Sequence, residues 1–503
     1  MAELTLRVPE VDAQIGPDVE LRQVYVEEWI EKLPLGDPPL LAYRLGQALS
    51  RLRRAPVAPK RRLRLLECYL IPFDSLYSRI RNQRAPVDTA EFERQFSECE
   101  LARALAIELA YGFKLALADA VDANASRRVV AHALQRAALM LAEAYWLSCH
   151  GYLPMPSALW SELLELYRFG RTRRLDNTLP RALVRETSLS DDFRRTLNQT
   201  VIPTVVLGAT DPKRLGHGEL WSILETVALR ELPRLESGAD PALELPKNTV
   251  GVFSLTTERD YRPTPWTPEE GHPAWVLDAG ELLAELHEVR NVSDRMVGEE
   301  EIHAAGTLAT GLSRRPVRQT SRRSAPGHIR VLSGLASIHA ETQTHSSPSA
   351  DRDAVSSPTE IWDLVDVGRC GLGLTKGEAP TRLLPVGELI GMRSGQRNDE
   401  PWRLGIVRWK TVKPAMHHRL GIEWLASEAK PVSVSTPGSQ RASIPALLIQ
   451  QKNRTTLLAG NGLFKDRRII EIRTRGQTLR AACVQLIEKA SSVERMMIRP
   501  APD

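Results

Sequence analysis

The sequence predicts a multidomain α + β protein: an N-terminal α-helical bundle, a small α/β connector, a C-terminal antiparallel β-barrel and an extra β subdomain. Three observations predict it. Apolar residues recur at helical spacing from about residue 21 to 235. Proline and glycine rise between about 236 and 291. Beyond residue 302 the pattern changes to short runs in which apolar and polar residues alternate.

The helical domain is placed at residues 1–235. Trp160, Leu163, Leu164 and Tyr167 follow the i, i+3, i+4, i+7 rule, with Ser157 as the expected N-cap and Gly170 as the expected stop. Leu101, Leu105, Leu109 and Phe113 make a second stripe, and the adjacent Ala102 and Ala106 permit close helix approach. A further helix is expected from Ser126 to His150, ended by Gly151. The short loops between these helices suit an irregular bundle, since no fixed-period repeat is present.

The connector, residues 236–300, contains a strand candidate at 249–256, a loop at 262–273 and a helix at 279–289. Short alternating strands after Ile302 place a barrel at 301–430: Ile329 and Val331 flank Arg330, 361–367 is apolar at nearly every other position, and Leu420, Ile422 and Trp424 alternate with Gly421 and Glu423. Residues 341–359, rich in Ser, Pro, Asp and Thr, are expected to form a disordered hairpin insertion. A linker at 431–443 is expected to precede the small β subdomain at 444–503, which has strand-like runs at 446–450, 455–458 and 467–473.

Composition narrows the function classes. With 42% hydrophobic and 26% charged residues the chain is ordinary globular material, which excludes global disorder. Residues 1–10 lack the basic and apolar runs of a signal peptide, and the apolar stretch 131–149 is interrupted by Gln135, Arg136 and Glu143, so no membrane span is expected. The five cysteines are scattered, odd in number and never spaced as C-x-x-C, which argues against disulfides and zinc and for a reducing cytoplasm. A net charge of +5 is too small for a protein that coats nucleic acid, so nucleic acid is disfavoured as a partner.

Local charge is more informative. Residues 302–340 hold six arginines and no acidic residue, which suits an anionic ligand. Guanidinium groups bind phosphate bidentately and also pair with the O6 and N7 edge of guanine. Arginine makes up about 11% of the chain, so roughly six i, i+4 arginine pairs arise by chance and spacing alone carries little weight.

Order carries more. An arginine segment (RRPVR, beginning at Arg314) precedes a first strand, and after the insertion comes Asp366-Val367-Gly368-Arg369-Cys370-Gly371, followed by Leu372 and Leu374. This arrangement resembles the PilZ family, whose members carry R-x-x-x-R before the first strand and D/N-x-S-x-x-G at a strand end. The likeness continues through 384–392, WRLGIVRW at 402–409 and RLGIEWL at 419–425, so it spans about residues 313–425.

The resemblance implies a non-enzymatic cyclic di-GMP receptor or adaptor in bacterial motility, pili or biofilm control. Cyclic di-GMP would be its regulatory ligand, with no cofactor and no metal, and an unidentified protein partner would be met by the helical region. The implied ligand residues are Arg314 with Arg318 or Arg318 with Arg322, together with Asp366, Gly368 and Gly371. The Asp366 carboxylate can accept hydrogen bonds from guanine N1 and N2. Gly368 stands where the family has serine and lacks one hydroxyl, worth about 0.5 to 1.5 kcal/mol. Two other readings stand beside this one: a PilZ-like interaction scaffold without nucleotide, and a nucleic-acid binder using the arginine segment on phosphates.

Simpler explanations cover the remaining features. The spacing of Gly371, Gly373 and Lys376 is not that of a phosphate loop, so a strand interior is expected there. His417 and His418 are adjacent on a strand and face opposite sides. Trp402, Trp409 and Trp424 are expected in the barrel core. Asp260, Glu269 and Glu270 belong to a solvated loop, with no nucleophile or metal ligand at a telling spacing.

Overall fold

The structure is a computed structural model. It describes residues 6–8, 19–156, 158–180, 189, 191–240, 243, 248–256, 263–270, 273–291, 299–313, 321–345, 359–394, 400–437, 443–451, 454–474 and 477–501. The chain divides into two compact units, one of residues 1–212 and 217–317 and one of residues 318–503 with the segment 213–216.

The first unit begins with eight α-helices among the described residues: α1 Gln23–Glu31, α2 Pro38–Arg54, α3 Pro59–Arg81, α4 Thr89–Asp122, α5 Arg127–His150, α6 Leu159–Thr172, α7 Leu197–Ala209 and α8 Glu219–Ala228. Their starts are written in the sequence. Asp37 accepts from the Leu40 amide at 3.1 Å with Pro38 at the first helical position, and Asp88 caps α4 through the Glu91 amide at 2.8 Å. Thr196 and Gln199 close a reciprocal capping box on α7.

The centre of the unit is α4 packed on α5. Leu105, Leu109 and Phe113 are buried on α4, while α5 runs between Ser126 and Gly151 as the sequence predicts and is buried at every position from Val130 to His150. A helix apolar on one face only could not occupy that place. Its polar residues therefore need partners, and the Glu67 carboxylate of α3 accepts from Arg136 Nε at 2.6 Å and Nη2 at 3.1 Å, with His132 Nε2 at 3.0 Å.

Helix α6 corrects an expectation. Gly170 does not end it; the helix continues to Thr172, and a Cβ on Gly170 would sit 2.3 Å from Leu197 Cδ2. The glycine is there for close helix approach, not for termination. Ser157, the expected cap, lies outside the described residues.

A four-stranded antiparallel sheet follows in the order β1-β4-β2-β3, built from β1 Arg234–Ser237, β2 Val252–Leu255, β3 Thr264–Pro265 and β4 Trp275–Asp278. Helix α9 Gly280–Asn291 follows β4. The segment after 301, expected to open the barrel, is helix α10 Glu299–Ser313, packed on α8 and α9 within the first unit. The reason is periodicity: Ala304, Ala305, Leu308, Ala309 and Leu312 are buried at i, i+1, i+4, i+5 and i+8, a helical face made mostly of alanine.

The second unit holds two closed antiparallel barrels. The first consists of β5 Arg322–Ser333, β6 Glu360–Gly368, β7 Gly371–Lys376, β8 Leu389–Ser394, β9 Arg403–Lys413 and β10 His417–Ala426, closed in the order β10-β7-β6-β5-β8-β9. The second consists of β11 Lys430–Ser435, β12 Ile444–Gln451, β13 Arg454–Ala459, β14 Ile469–Thr474, β15 Gln477–Lys489 and β16 Glu494–Pro500, closed in the order β11-β12-β13-β16-β15-β14. Closure leaves neither barrel with a free edge.

Two further expectations are corrected here. The insertion placed at 341–359 begins inside helix α11 Leu335–His345, which Gly334 admits at φ +86° and which Leu335 and Ile338 anchor in a buried cluster. Residues 346–358 lie outside the described part. The linker placed at 431–443 contains β11, because Val432 and Val434 alternate into the second barrel's core. Among the described residues no helix is long and apolar enough to cross a membrane.

Candidate functional site

The predicted Asp366-to-Gly371 segment is the end of β6, a two-residue turn and the start of β7. Gly368 pairs with Gly371 across the turn, and Arg322 of β5 pairs with Gly368 on the other side. Leu364 and Val367 pack against the barrel core. A register irregularity between Leu364 and Asp366 sets the phase, so that the Asp366 carboxylate emerges on the outer surface while Val367 stays inside.

There Arg322 Nη1 donates to Asp366 Oδ1 at 2.7 Å, both side chains about one-quarter exposed. The two residues are diagonal neighbours across the ladder, within reach of a long side chain. This bond orients both groups at the barrel surface, and lone pairs remain on the carboxylate. Exposed Arg323 and Arg369 add positive charge beside the same turn. Arg314 and Arg318 lie outside the described residues, so of the three arginines expected at the site Arg322 is the one seen with Asp366.

The outer surface continues as one row across the sheet. Ser324 pairs with Asp366, Asp366 with Gly373 of β7, Gly373 with Gly421 of β10, and Gly421 with Trp409 of β9. Asp366 Oδ1 lies 3.0 Å from the position a Cβ would take on Gly373, and Trp409 Nε1 lies 1.8 Å from that position on Gly421. Side chains at these two sites would push the carboxylate and the indole off the strand surface. The glycines thus let a carboxylate and an aromatic face lie low on adjoining strands, with a guanidinium at one end.

Such a surface suits a planar heterocycle that donates hydrogen bonds and carries phosphate: the carboxylate accepts, the guanidinium binds anions, and the indole offers a stacking face. The three tryptophans, expected together in the core, separate accordingly. Trp402 is buried and Trp424 packs on the inner core, whereas Trp409 is half-buried on the outer row. The signal available in the sequence was Gly421 itself, a glycine in a strand interior that marks close approach of another group.

Gly371 is held for backbone reasons. A Cβ there would meet the Ile422 carbonyl oxygen at 2.1 Å, and the Cys370 carbonyl accepts from the Trp424 amide at 3.0 Å. Gly371→Ala is expected to lower the stability of the second unit by about 1 to 3 kcal/mol, the usual cost of overpacking, visible as a reduced denaturation midpoint. An unchanged midpoint would contradict the close approach.

His417 and His418 diverge as expected: His417 Nε2 meets Thr375 Oγ1 at 2.7 Å, and His418 is buried, its pKa pushed down to about 3 by burial and the nearby Lys410. Among the described residues no group of three or more His, Cys, Asp or Glu could hold a metal ion.

The acidic strand-end turn at Asp366 sits on a closed six-stranded barrel, and residues 318–431 match the family model for the middle PilZ domain of the cyclic-di-GMP receptor FimW. This part of the chain is a PilZ domain. Residues 24–230 match the model of the N-terminal domain of the same receptor. The cyclic-di-GMP receptor FimW of Pseudomonas aeruginosa is 22% identical to this chain over 502 aligned residues, covering 85% of the chain and 81% of that protein. No solved structure matches the chain.

Proposed function

We propose that the protein is a bacterial cytoplasmic cyclic di-GMP receptor whose ligand lies on the outer face of the first barrel. The observation that carries this reading is the Arg322–Asp366 bond at the end of the glycine-floored row leading to Trp409. Asp366 accepts from a guanine edge, Arg318 with Arg322 or with Arg314 binds phosphate or the guanine O6 and N7, and Trp409 stacks a base. Gly368 and Gly371 shape the turn.

Ligand binding at this face would be coupled to a protein partner met by the helical unit, in motility, pili or biofilm control. The role is that of a binding protein, with no catalytic step and no cofactor.

Titration calorimetry with cyclic di-GMP tests the proposal. Saturable heat is expected, and none from folded protein at high micromolar ligand would refute it. Because Gly368 stands in the family's serine position, Gly368→Ser is expected to tighten binding by up to about tenfold, the worth of one added hydrogen bond. A variant that binds more weakly would place the hydroxyl away from the ligand.

A further inference from the structure

The second barrel carries a relation to the first that the sequence does not display. Numbering the strands of each barrel one to six along the chain, both close in the same cyclic order, 1-2-3-6-5-4. Register agrees as well. Aligning the hairpin pair Gln451 and Arg454 with Gly368 and Gly371 places Ile449 at the position of Asp366 and Thr456 at that of Gly373.

Continuing across the sheet, Met497 falls at the position of Gly421 and Gln485 at that of Trp409. The fifth strand of each barrel then carries a bulge at one and the same place, Arg408 in the first and Val484 in the second. Inside, Leu374 corresponds to Leu457, Leu420 to Met496 and Ile422 to Ile498, all buried core residues. Two unrelated barrels have no reason to share strand order, inward positions and a bulge.

We infer that residues 430–500 are a second copy of the first barrel's plan whose equivalent of the ligand face has become a docking face against the first barrel, leaving one nucleotide site per chain. The clause on the nucleotide rests on the function proposed above; the docking clause does not.

The substitutions explain the change of role. Where the first barrel has Asp366, the second has Ile449, 1% exposed, and Leu447 and Leu458 flank it at 0% and 1% exposure. These three share a buried cluster with Leu389, Leu404 and Ile406, on the side of the first barrel away from its own core. The second barrel's front face packs on Leu389 of β8 and on Leu404 and Ile406 of β9, while the Asp366 side chain stays about one-quarter exposed. At the margin Arg408 clamps the pair, donating from Nε to Glu423 of β10 at 2.6 Å and from both terminal nitrogens to Glu488 of β15, one of them at 3.0 Å. Glu423 pairs with Gly371, so the clamp reaches the first barrel's turn.

Hydrogen exchange by mass spectrometry on the full chain tests the docking clause. In Ile449→Asp, amides of β8, β9, β12 and β13 are expected to exchange at least about tenfold faster, while α4 and α5 keep their protection. Should that variant fail to fold, Ile449→Ala and Arg408→Gln are expected to show smaller increases in the same strands and in β15. Unchanged protection in the folded variants overturns the docking face.

Calorimetry tests the single site. Asp366→Ala is expected to weaken the whole of the cyclic di-GMP binding by about 10- to 150-fold as a single transition; a second class of sites that keeps full affinity in this variant and is removed by a further Thr456→Arg change would overturn it. No heat from the unaltered chain would sink the proposed function instead, and hydrogen exchange would still decide the docking clause.

Discussion

Replacing Asp366 by alanine is expected to weaken cyclic di-GMP binding by about 10- to 150-fold, the equivalent of about 1.5 to 3 kcal/mol for hydrogen bonds to a charged group. Two losses combine. The guanine edge loses its acceptor, and Arg322 loses the 2.7 Å bond that orients it. Arg322→Ala should fall in the same range, and the double variant should lose less than the sum of the two, because the residues act as one unit.

Arg330→Ala is the control. Arg330 lies eight residues along β5, opposite Ile361 and away from the Asp366 row, and its replacement should leave affinity unchanged. Calorimetry on the four proteins, with circular dichroism to verify folding, checks the set. Full affinity in Asp366→Ala would remove the carboxylate from the site.

Glu67→Ala is expected to be the most destabilising single change in the helical unit, by about 3 to 5 kcal/mol, because it leaves the Arg136 guanidinium buried with its counter-charge removed. Glu67 is 0% exposed and Arg136 2% exposed, so water cannot replace the missing carboxylate. Arg136 keeps a hydrogen bond from Nη1 to the Phe193 carbonyl oxygen at 2.6 Å, which satisfies one donor but not the charge. A fall in the thermal midpoint of several degrees measures the loss.

The same cluster sets an acid limit. Burial alone would raise the Glu67 carboxyl, but the adjacent Arg136 and His132 outweigh it and hold the pKa below the ordinary carboxylate value. A carboxyl whose folded pKa is depressed contributes stability above its unfolded value, about 4.3, and loses it as pH falls through the lower folded value. Denaturation midpoints should therefore decline in acid more steeply for the unaltered chain than for Glu67→Gln. Parallel declines would show that Glu67 does not govern the acid response.

The sequence by itself determined the elements whose cause is local. Helix α5 follows from its Ser126 and Gly151 borders and its apolar run, and the barrel strands follow from alternation about Ile329, Leu420 and Ile422. The Asp366-to-Gly371 turn was identifiable because its residues are contiguous and follow an arginine segment and a strand in fixed order. Where local patterns were ambiguous, expectation failed: the alanine-rich face of α10 carries weak periodicity, and α11 fades into a polar segment that masks its buried Leu335 and Ile338.

Only the tertiary structure decided the rest, since the determinants lie far apart along the chain. Gly170 looks like a helix stop until Leu197 is found against it. Trp409 looks like a core residue until Gly421, twelve positions on, is seen beneath its ring. The choice of Arg322 as a partner of Asp366 needed the β5–β6 register, and the kinship of the two barrels needed both strand orders. Periodicity records which way a side chain faces relative to its own strand. Which groups then share a surface is fixed by register and closure, and those arise from pairing between distant segments.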